Sequence, residues 1–145
     1  MKGSLHSMNY LKPYGFLNNL KCHFRKRHTA DIRTQYEIYS IRTFDFHIDF
    51  TKTDRAYFKY DGISYETFSV YEVLNYLNKK GDTQVRIVFE GKNKVARFCS
   101  YCAIIERIYP KIHFFGGYRA YDLKELYSFK NSYITSKIDW YERLD

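Results

Sequence analysis

Residues 41–50 read IRTFDFHIDF, and their pattern decides which fold the sequence predicts. Hydrophobic and polar side chains alternate along this stretch, and successive side chains of a β-strand point to opposite faces of a sheet. One face receives Phe44, Phe46 and Ile48, and the other receives Asp45, His47 and Asp49. The stretch therefore predicts a strand that packs an apolar face into a core and carries a row of polar side chains on its other face.

Segments on both sides of this strand have the patterns of further strands and helices. Apolar spacing and Gly or Pro punctuation predict strands at residues 55–60, 84–90 and 111–115, with a short strand near the N-terminus. The same criteria predict helices at residues 70–78, 93–109 and 123–129, and a short helix that ends at residues 34–37. This alternation predicts a single α/β domain over residues 1–145 with a mainly parallel sheet.

The length and composition of the chain fit a globular domain. Its 145 residues are 45% hydrophobic and 20% aromatic. A chain of this size buries roughly 70% of the surface that it exposes when unfolded, so a core forms without crosslinks. Three cysteines are an odd number, which argues against a secreted disulfide framework. The first residues lack the apolar segment of a signal peptide, so we expect a cytoplasmic protein that is not secreted by that route.

A surplus of positive charge indicates the kind of partner. Lys and Arg total 24 against 16 Asp and Glu, which gives a formal net charge of +8. Such a surface suits phosphate groups, nucleic acid, an anionic membrane or an acidic protein. Five cations lie in one basic stretch: Lys21, Arg25, Lys26, Arg27 and Arg33. Two interpretations of this stretch stay open, a surface that binds an acidic partner or nucleic acid and a solvated helix face.

Four segments resemble the phospholipase-C-like phosphodiesterase superfamily, in particular a small bacterial branch with an X-domain-like barrel. Residues 3–11 (GSLHSMNYL) resemble the opening GSHNSMTYL of that branch. Residues 35–37 (QYE) and 41–48 (IRTFDFHI) are similar to QYExGVRxFDLRV, and residues 81–90 (GDTQVRIVFE) to GDxxVRxxLE. Residues 60–62 (YDG), which precede the helical pattern at 70–74, stand where the family has AHG. The order and spacing of the four segments carry the resemblance.

The resemblance implies a fold and a set of catalytic groups. It implies an α/β fold of the TIM-type (β/α) barrel, shortened here because the family's closing segments are absent from residues 1–145. Family members cleave a phosphodiester with one histidine as general base, a second as general acid and an arginine that neutralises the phosphate. These groups are expected at the C-terminal ends of the barrel strands.

Each of the three catalytic positions is altered in this chain. The first family histidine aligns with Leu5, and His6 is one residue away, where a strand would point it to the wrong face. The family arginine aligns with His47, which lacks a bidentate guanidinium. The second histidine aligns with Asp61, an anion that would repel a phosphate. If the chain were active, His6, His47 and Asp61 would be its catalytic residues, but the combined changes predict a non-catalytic protein.

A metal-dependent enzyme is the alternative hypothesis. Asp45, Asp61 and Glu90, together with His47, resemble the carboxylate-rich metal site of glycerophosphodiester phosphodiesterases. Carboxylates and one imidazole are ligands that Mg²⁺ or Ca²⁺ accepts. Such an enzyme would act on glycerophosphodiester-like or phosphoinositide-like substrates. A metal site would bring these side chains to one point, whereas polar residues without a metal would pair with one another or with Arg42 and Arg86.

The C-terminal region is rich in aromatic residues and predicts an interface. A barrel without its last strands has open sheet edges, which must be paired or covered. Tyr133, Trp140 and Tyr141 are the anchors that we expect there. They would contact a second copy of the chain or another subunit of a larger assembly, for example a phage or other multi-subunit particle. The alternative is that this tail folds back and covers its own sheet.

Overall fold

The structure is a computed structural model that describes residues 1–23, 25–65, 69–130, 132 and 137–145. Its helices and strands follow one another along the chain as β1 (Lys2–Ser4), α1 (Phe16–Cys22), α2 (Ile32–Glu37), β2 (Thr43–Phe50), β3 (Ala56–Tyr60), β4 (Ile63–Ser64), α3 (Val70–Lys80), β5 (Thr83–Phe89), α4 (Val95–Ile108), β6 (Ile112–Arg119) and β7 (Asp139–Tyr141). None of the helices in these ranges is long and apolar enough to cross a membrane.

Strand β2 is the centre of the sheet, and its two edges are used differently. One edge pairs in parallel with β5 from Thr43 to Ile48, and β6 continues the sheet beyond β5. The other edge is shared, because β1 pairs in parallel with its first residues and β3 pairs antiparallel with its last residues. Strand β7 lies parallel to β1 on the far side. At Asp45, this edge of β2 lies between the ends of β1 and β3 and pairs with neither strand.

The prediction of a shortened TIM-type barrel is wrong, because the sheet of the described residues is mixed: four strand pairs are parallel and two are antiparallel. The strands form an open half-barrel of mixed direction, in which β3 and β4 run antiparallel to their neighbours. A parallel crossover needs a dozen or more residues, and only residues 51–55 connect β2 to β3, so the chain must turn back. Asp61 and Gly62 then have φ values of 49° and 80°, the left-handed conformation that a two-residue hairpin requires.

Two further predictions from the sequence are also corrected. Residues 123–129 are not helical, because Leu123 has a φ of 56° and Glu125 then forms a bridge with Tyr118 of β6. The basic stretch is not one helix face either. Lys21 lies on α1 and Arg33 on α2, while residues 25–30 between them have no regular secondary structure. The strands predicted at residues 55–60, 84–90 and 111–115, and the helices at 70–78 and 93–109, are confirmed within a few residues.

The core lies on the apolar face of β2, as its alternation predicts. Phe44, Phe46 and Ile48 are fully buried, and Leu74 of α3 and Phe98 of α4 belong to the same core. The polar face of this strand is buried as well, since Asp45 is inaccessible to solvent and His47 is almost so. Burying a charge is costly unless a partner compensates it, so the polar row of β2 requires a network of its own.

Candidate functional site

Asp45 is the centre of a buried polar cluster on β2. Its Oδ1 accepts hydrogen bonds from His47 Nε2 at 3.0 Å and from Arg86 Nε at 2.8 Å. Its Oδ2 accepts a third bond from the backbone N–H of His6 at 2.9 Å. Burial alone would raise the pKa of Asp45, but His47 and Arg86 hold that pKa well below its usual range. Asp45 is therefore ionised, and both of its oxygens are occupied.

His47 lies between two carboxylates. Its Nε2 bonds Asp45, and its Nδ1 lies 3.7 Å from Oε1 of Glu90, which is within ion-pair distance but too long for a hydrogen bond. Burial would lower the pKa of His47, yet the two carboxylates outweigh it and raise the pKa to about 9. His47 is consequently an imidazolium at neutral pH, and each of its ring N–H groups faces an anion.

Glu90 and Asp61 are neighbours, but their carboxylates point to different partners. Glu90 Oε1 accepts the backbone N–H of Asp61 at 2.6 Å and faces His47. Burial would raise the pKa of Glu90, but the charge of the nearby His47 and the hydrogen bond from the Asp61 backbone lower it. The carboxylate of Asp61 instead pairs with Arg25 at 3.2 Å. Asp61 therefore joins the site through its backbone, and its side chain lies on the exposed rim.

His6 reaches the cluster because β1 ends early. The strand stops at Ser4, and His6 has a φ of 49°, so the strand alternation that would turn its ring away no longer applies. Its ring centre lies 5.0 Å from that of His47 and 4.9 Å from that of Tyr60. Burial and the neighbouring His47 charge lower the pKa of His6. Together they outweigh the nearby carboxylates, which would raise it. His6 is thus a neutral imidazole beside a charged one.

Two residues that the sequence analysis did not identify hold the backbone of Asp45. Ser7 Oγ accepts the Asp45 N–H at 2.8 Å, while the Asp45 carbonyl accepts the N–H of Ser7 and the hydroxyl of Tyr60. These bonds fill the edge of β2 that β1 and β3 leave free. Nothing in the local sequence marks Ser7 or Tyr60 for this role, because it depends on where two other strands stop.

Arg86 is the partner that the sequence analysis named for the carboxylates. It stands opposite Asp45 in the register of β2 and β5, which places the guanidinium beside the carboxylate. Its other face is covered by Trp140, whose ring centre lies 4.2 Å from the guanidinium carbon. Arg42 has a different role, since it donates to the carbonyls of Tyr36 and Ile41. Arg86 therefore supplies the second positive charge of the cluster.

The cluster does not fit the divalent ions that the sequence analysis considered. Within the described ranges, His6, Asp45 and His47 are the group of three whose ligand atoms lie within 4.8 Å of one another. Mg²⁺ and Ca²⁺ prefer several oxygen ligands, and this group offers one carboxylate that already accepts three hydrogen bonds. The anions of Asp45 and Glu90 are balanced by His47 and Arg86. Adding Mg²⁺ or Ca²⁺ would break this internal compensation.

A small cleft of about 170 Å³ opens beside His6. Two cations of the basic stretch line it, Arg25 and Lys26. Each has an acidic partner on the rim, because Arg25 pairs with Asp61 at 3.2 Å and Lys26 with Glu142 at 3.3 Å. Both pairs are exposed, and exposed ion pairs contribute little and exchange readily. Arg25 and Lys26 can therefore be reached by an anion from solvent.

The other predicted cations do not join this cleft. Arg27 donates to the carbonyls of Tyr10 and Leu11 at 2.8 and 2.9 Å, so it fastens a loop. The guanidinium carbon of Arg33 lies 5.7 Å from the centre of the Tyr76 ring. Lys21 is exposed on α1. Of the five basic residues, Arg25 and Lys26 are therefore the two that line the cleft.

The predicted interface residues have different environments. Trp140 is half-buried on Arg86, and β7, to which it belongs, pairs with β1. Tyr141 is 40% exposed, and Tyr133 lies outside the described residues. Leu144 is buried, and its N–H donates to Nδ1 of His28 at 2.9 Å. Residues 139–141 thus extend the domain's own sheet and Leu144 is held by His28; of the two described residues of the predicted set, Tyr141 is the more exposed.

Comparison with known proteins adds no assignment to this geometry. No protein-family model, no curated protein and no solved structure matches the chain.

Proposed function

We propose that this chain is a diverged, non-catalytic relative of the phospholipase-C-like phosphodiesterases that acts as a binding protein. One observation carries the proposal: both ring nitrogens of His47 face carboxylates of the same chain, Asp45 at 3.0 Å and Glu90 at 3.7 Å. A general acid must deliver its proton to a leaving group. His47 has no N–H directed at the cleft, so its positive charge serves the cluster and not a substrate.

The remaining candidates do not supply the missing chemistry. Asp61 aligns with the histidine that serves as general acid in the family, and its carboxylate is paired with Arg25. The guanidinium of Arg86 lies between Asp45 and Trp140, so it is not directed at a phosphate in the cleft. His6 alone combines a neutral imidazole with access to the cleft. A single base without a general acid to protonate the leaving group loses orders of magnitude in rate.

Hydrolysis assays test this proposal directly. We expect no turnover of phosphoinositides or glycerophosphodiesters above a heat-denatured control, with or without added Mg²⁺ or Ca²⁺. The informative variants are His6→Ala and His23→Ala, since His6 lines the cleft and His23 is an exposed histidine outside it. Turnover that disappears in His6→Ala and survives in His23→Ala would show that the cluster is catalytic and would overturn the proposal.

The binding role is supported by the distribution of charge. Residues 1–30 contain six basic residues (Lys2, Lys12, Lys21, Arg25, Lys26 and Arg27) and no Asp or Glu. Residues 31–145 carry the remaining 18 Lys and Arg and all 16 acidic residues, a net charge of +2. The first 30 residues thus hold six of the eight surplus charges. A partner with negative charge is the kind that such a segment attracts.

A further inference from the structure

Helix α1 presents its apolar side chains to solvent. Phe16, Leu17 and Leu20 are 80%, 69% and 53% exposed, and the preceding Tyr14 is 64% exposed. Asn18, in contrast, is half-buried and donates to the carbonyl of Tyr14 at 2.6 Å. A surface helix normally turns its apolar stripe toward the core. Helix α1 has the opposite arrangement, and Tyr14, Phe16, Leu17 and Leu20 together form what we call the α1 patch.

The α1 patch is not needed to hold the helix in place. The segment is attached through the backbone just before the helix, because the N–H of Tyr14 donates to the carbonyl of Ser64 on β4 and Pro13 forms a bridge with Tyr65. Single exposed apolar residues are ordinary on a protein surface, but four within seven residues are a concentrated patch. Such a patch marks a surface that is covered by something else.

Positive charge flanks the α1 patch at both ends. Lys12 precedes it and Lys21 follows it, and both side chains are exposed. Neither lysine forms an ion pair within the described part of the chain. Apolar and aromatic side chains flanked by lysines match the interface of an anionic bilayer, where apolar groups enter the acyl boundary and lysines meet the headgroups. Anionic lipid attracts each lysine near its surface.

We propose that the α1 patch docks this protein on a membrane surface that contains anionic phospholipid. The inference rests on the binding role proposed above and names the partner of that role. It requires no movement of the fold, since the four side chains are exposed as they stand.

Sedimentation with lipid vesicles tests the proposal. We expect the full chain to bind vesicles of phosphatidylcholine and phosphatidylserine and to bind pure phosphatidylcholine more weakly. Phe16→Ser with Leu17→Ser should lower the partition coefficient at least about tenfold, because two large apolar groups no longer leave water. Lys12→Ser with Lys21→Ser should lower binding to the mixed vesicles by about tenfold and leave binding to pure phosphatidylcholine unchanged.

A matched control tests whether vesicle binding depends on the α1 patch or on exposed apolar residues in general. Ile38 and Tyr121 are 74% and 73% exposed and lie outside the α1 patch, so Ile38→Ser with Tyr121→Ser should bind vesicles like the wild type. Circular dichroism confirms that each variant is folded. Absent vesicle binding by the wild type, or equal losses in the two apolar pairs, would overturn the proposal. Light scattering that shows a dimer disrupted by the Phe16 and Leu17 changes would instead assign the patch to a second copy.

This experiment is independent of the hydrolysis assay. Sedimentation measures vesicle binding without any turnover. A catalytic protein that does not bind vesicles and a non-catalytic protein that binds them therefore give different results. Failure of the proposed function and failure of the docking surface are therefore distinguishable.

Discussion

Replacing Asp45 by Asn should be among the most damaging single substitutions in this protein. Asp45 is fully buried and compensates both His47 and Arg86, whereas an amide carries no charge to do so. Removing one partner of a buried ion pair costs about 3–5 kcal/mol, because the remaining charge stays buried and unpaired. The raised pKa of His47, about 9, reflects the same interaction, because the carboxylates more than offset the burial that would lower it.

Urea denaturation and NMR titration measure this prediction. The Asp45→Asn protein should lose about 3 kcal/mol in its free energy of unfolding at pH 7, and the pKa of His47 should fall. The control is Asp49→Asn, a half-buried carboxylate on the same strand that pairs with Lys59 at 3.3 Å and should cost no more than about 1 kcal/mol.

The pH dependence of the wild type provides a second reading of the same interaction. Because folding raises the pKa of His47, its contribution to stability is complete below pH 6.5 and is lost as the pH rises through about 9. The Asp45→Asn variant should lack most of this loss. Equal costs for the two Asn variants, or a wild-type His47 that titrates near pH 6.5, would refute the ion-pair account of the cluster.

Two further predictions concern the packing of the C-terminal residues. His28 is buried, and its Nδ1 accepts the N–H of Leu144. Burial lowers the pKa of His28. Its contribution to stability is therefore complete above pH 6.5 and is lost as the pH falls through the lowered pKa. Between pH 7.5 and pH 5 the wild type should therefore lose melting temperature relative to His28→Asn, because the gain from His47 is common to both proteins. Gly3→Ala should cost about 1–3 kcal/mol in urea denaturation, because the added Cβ would lie 2.6 Å from Ile138 and 2.9 Å from Trp140.

The sequence predicted the central strand and its polar row, but not the environment of that row. Alternation placed Asp45 and His47 opposite Phe44 and Phe46, and β2 confirms this arrangement. Alternation carries no information on whether the second face meets solvent, because that depends on what other segments cover it. The antiparallel direction of β3 could be predicted from the five residues between β2 and β3, since so few residues exclude a parallel crossover.

The direction of the His6 side chain could not be predicted from strand periodicity. Strand periodicity assigns the side chain one residue beyond Leu5 to the opposite face, and this holds only while the strand continues. Strand β1 ends at Ser4, and the left-handed backbone at His6 brings the ring against His47. A three-residue strand is set by tertiary pairing with β2 and β7, so its end is not encoded locally.

In the function that we propose, the pairing of charges in the cluster turns a site of catalytic residue types into a structural one. A working acid–base site keeps at least one proton or one positive charge directed at the place that the substrate occupies. Here the positive charges of His47 and Arg86 are both directed at carboxylates of the same chain, and the bonds to Asp45 tie β1, β2 and β5 together. Each bond that makes the cluster a stable part of the core removes a group from substrate chemistry. The apolar side chains of α1 and the lysines beside them lie on the surface, where the proposed binding role would use them.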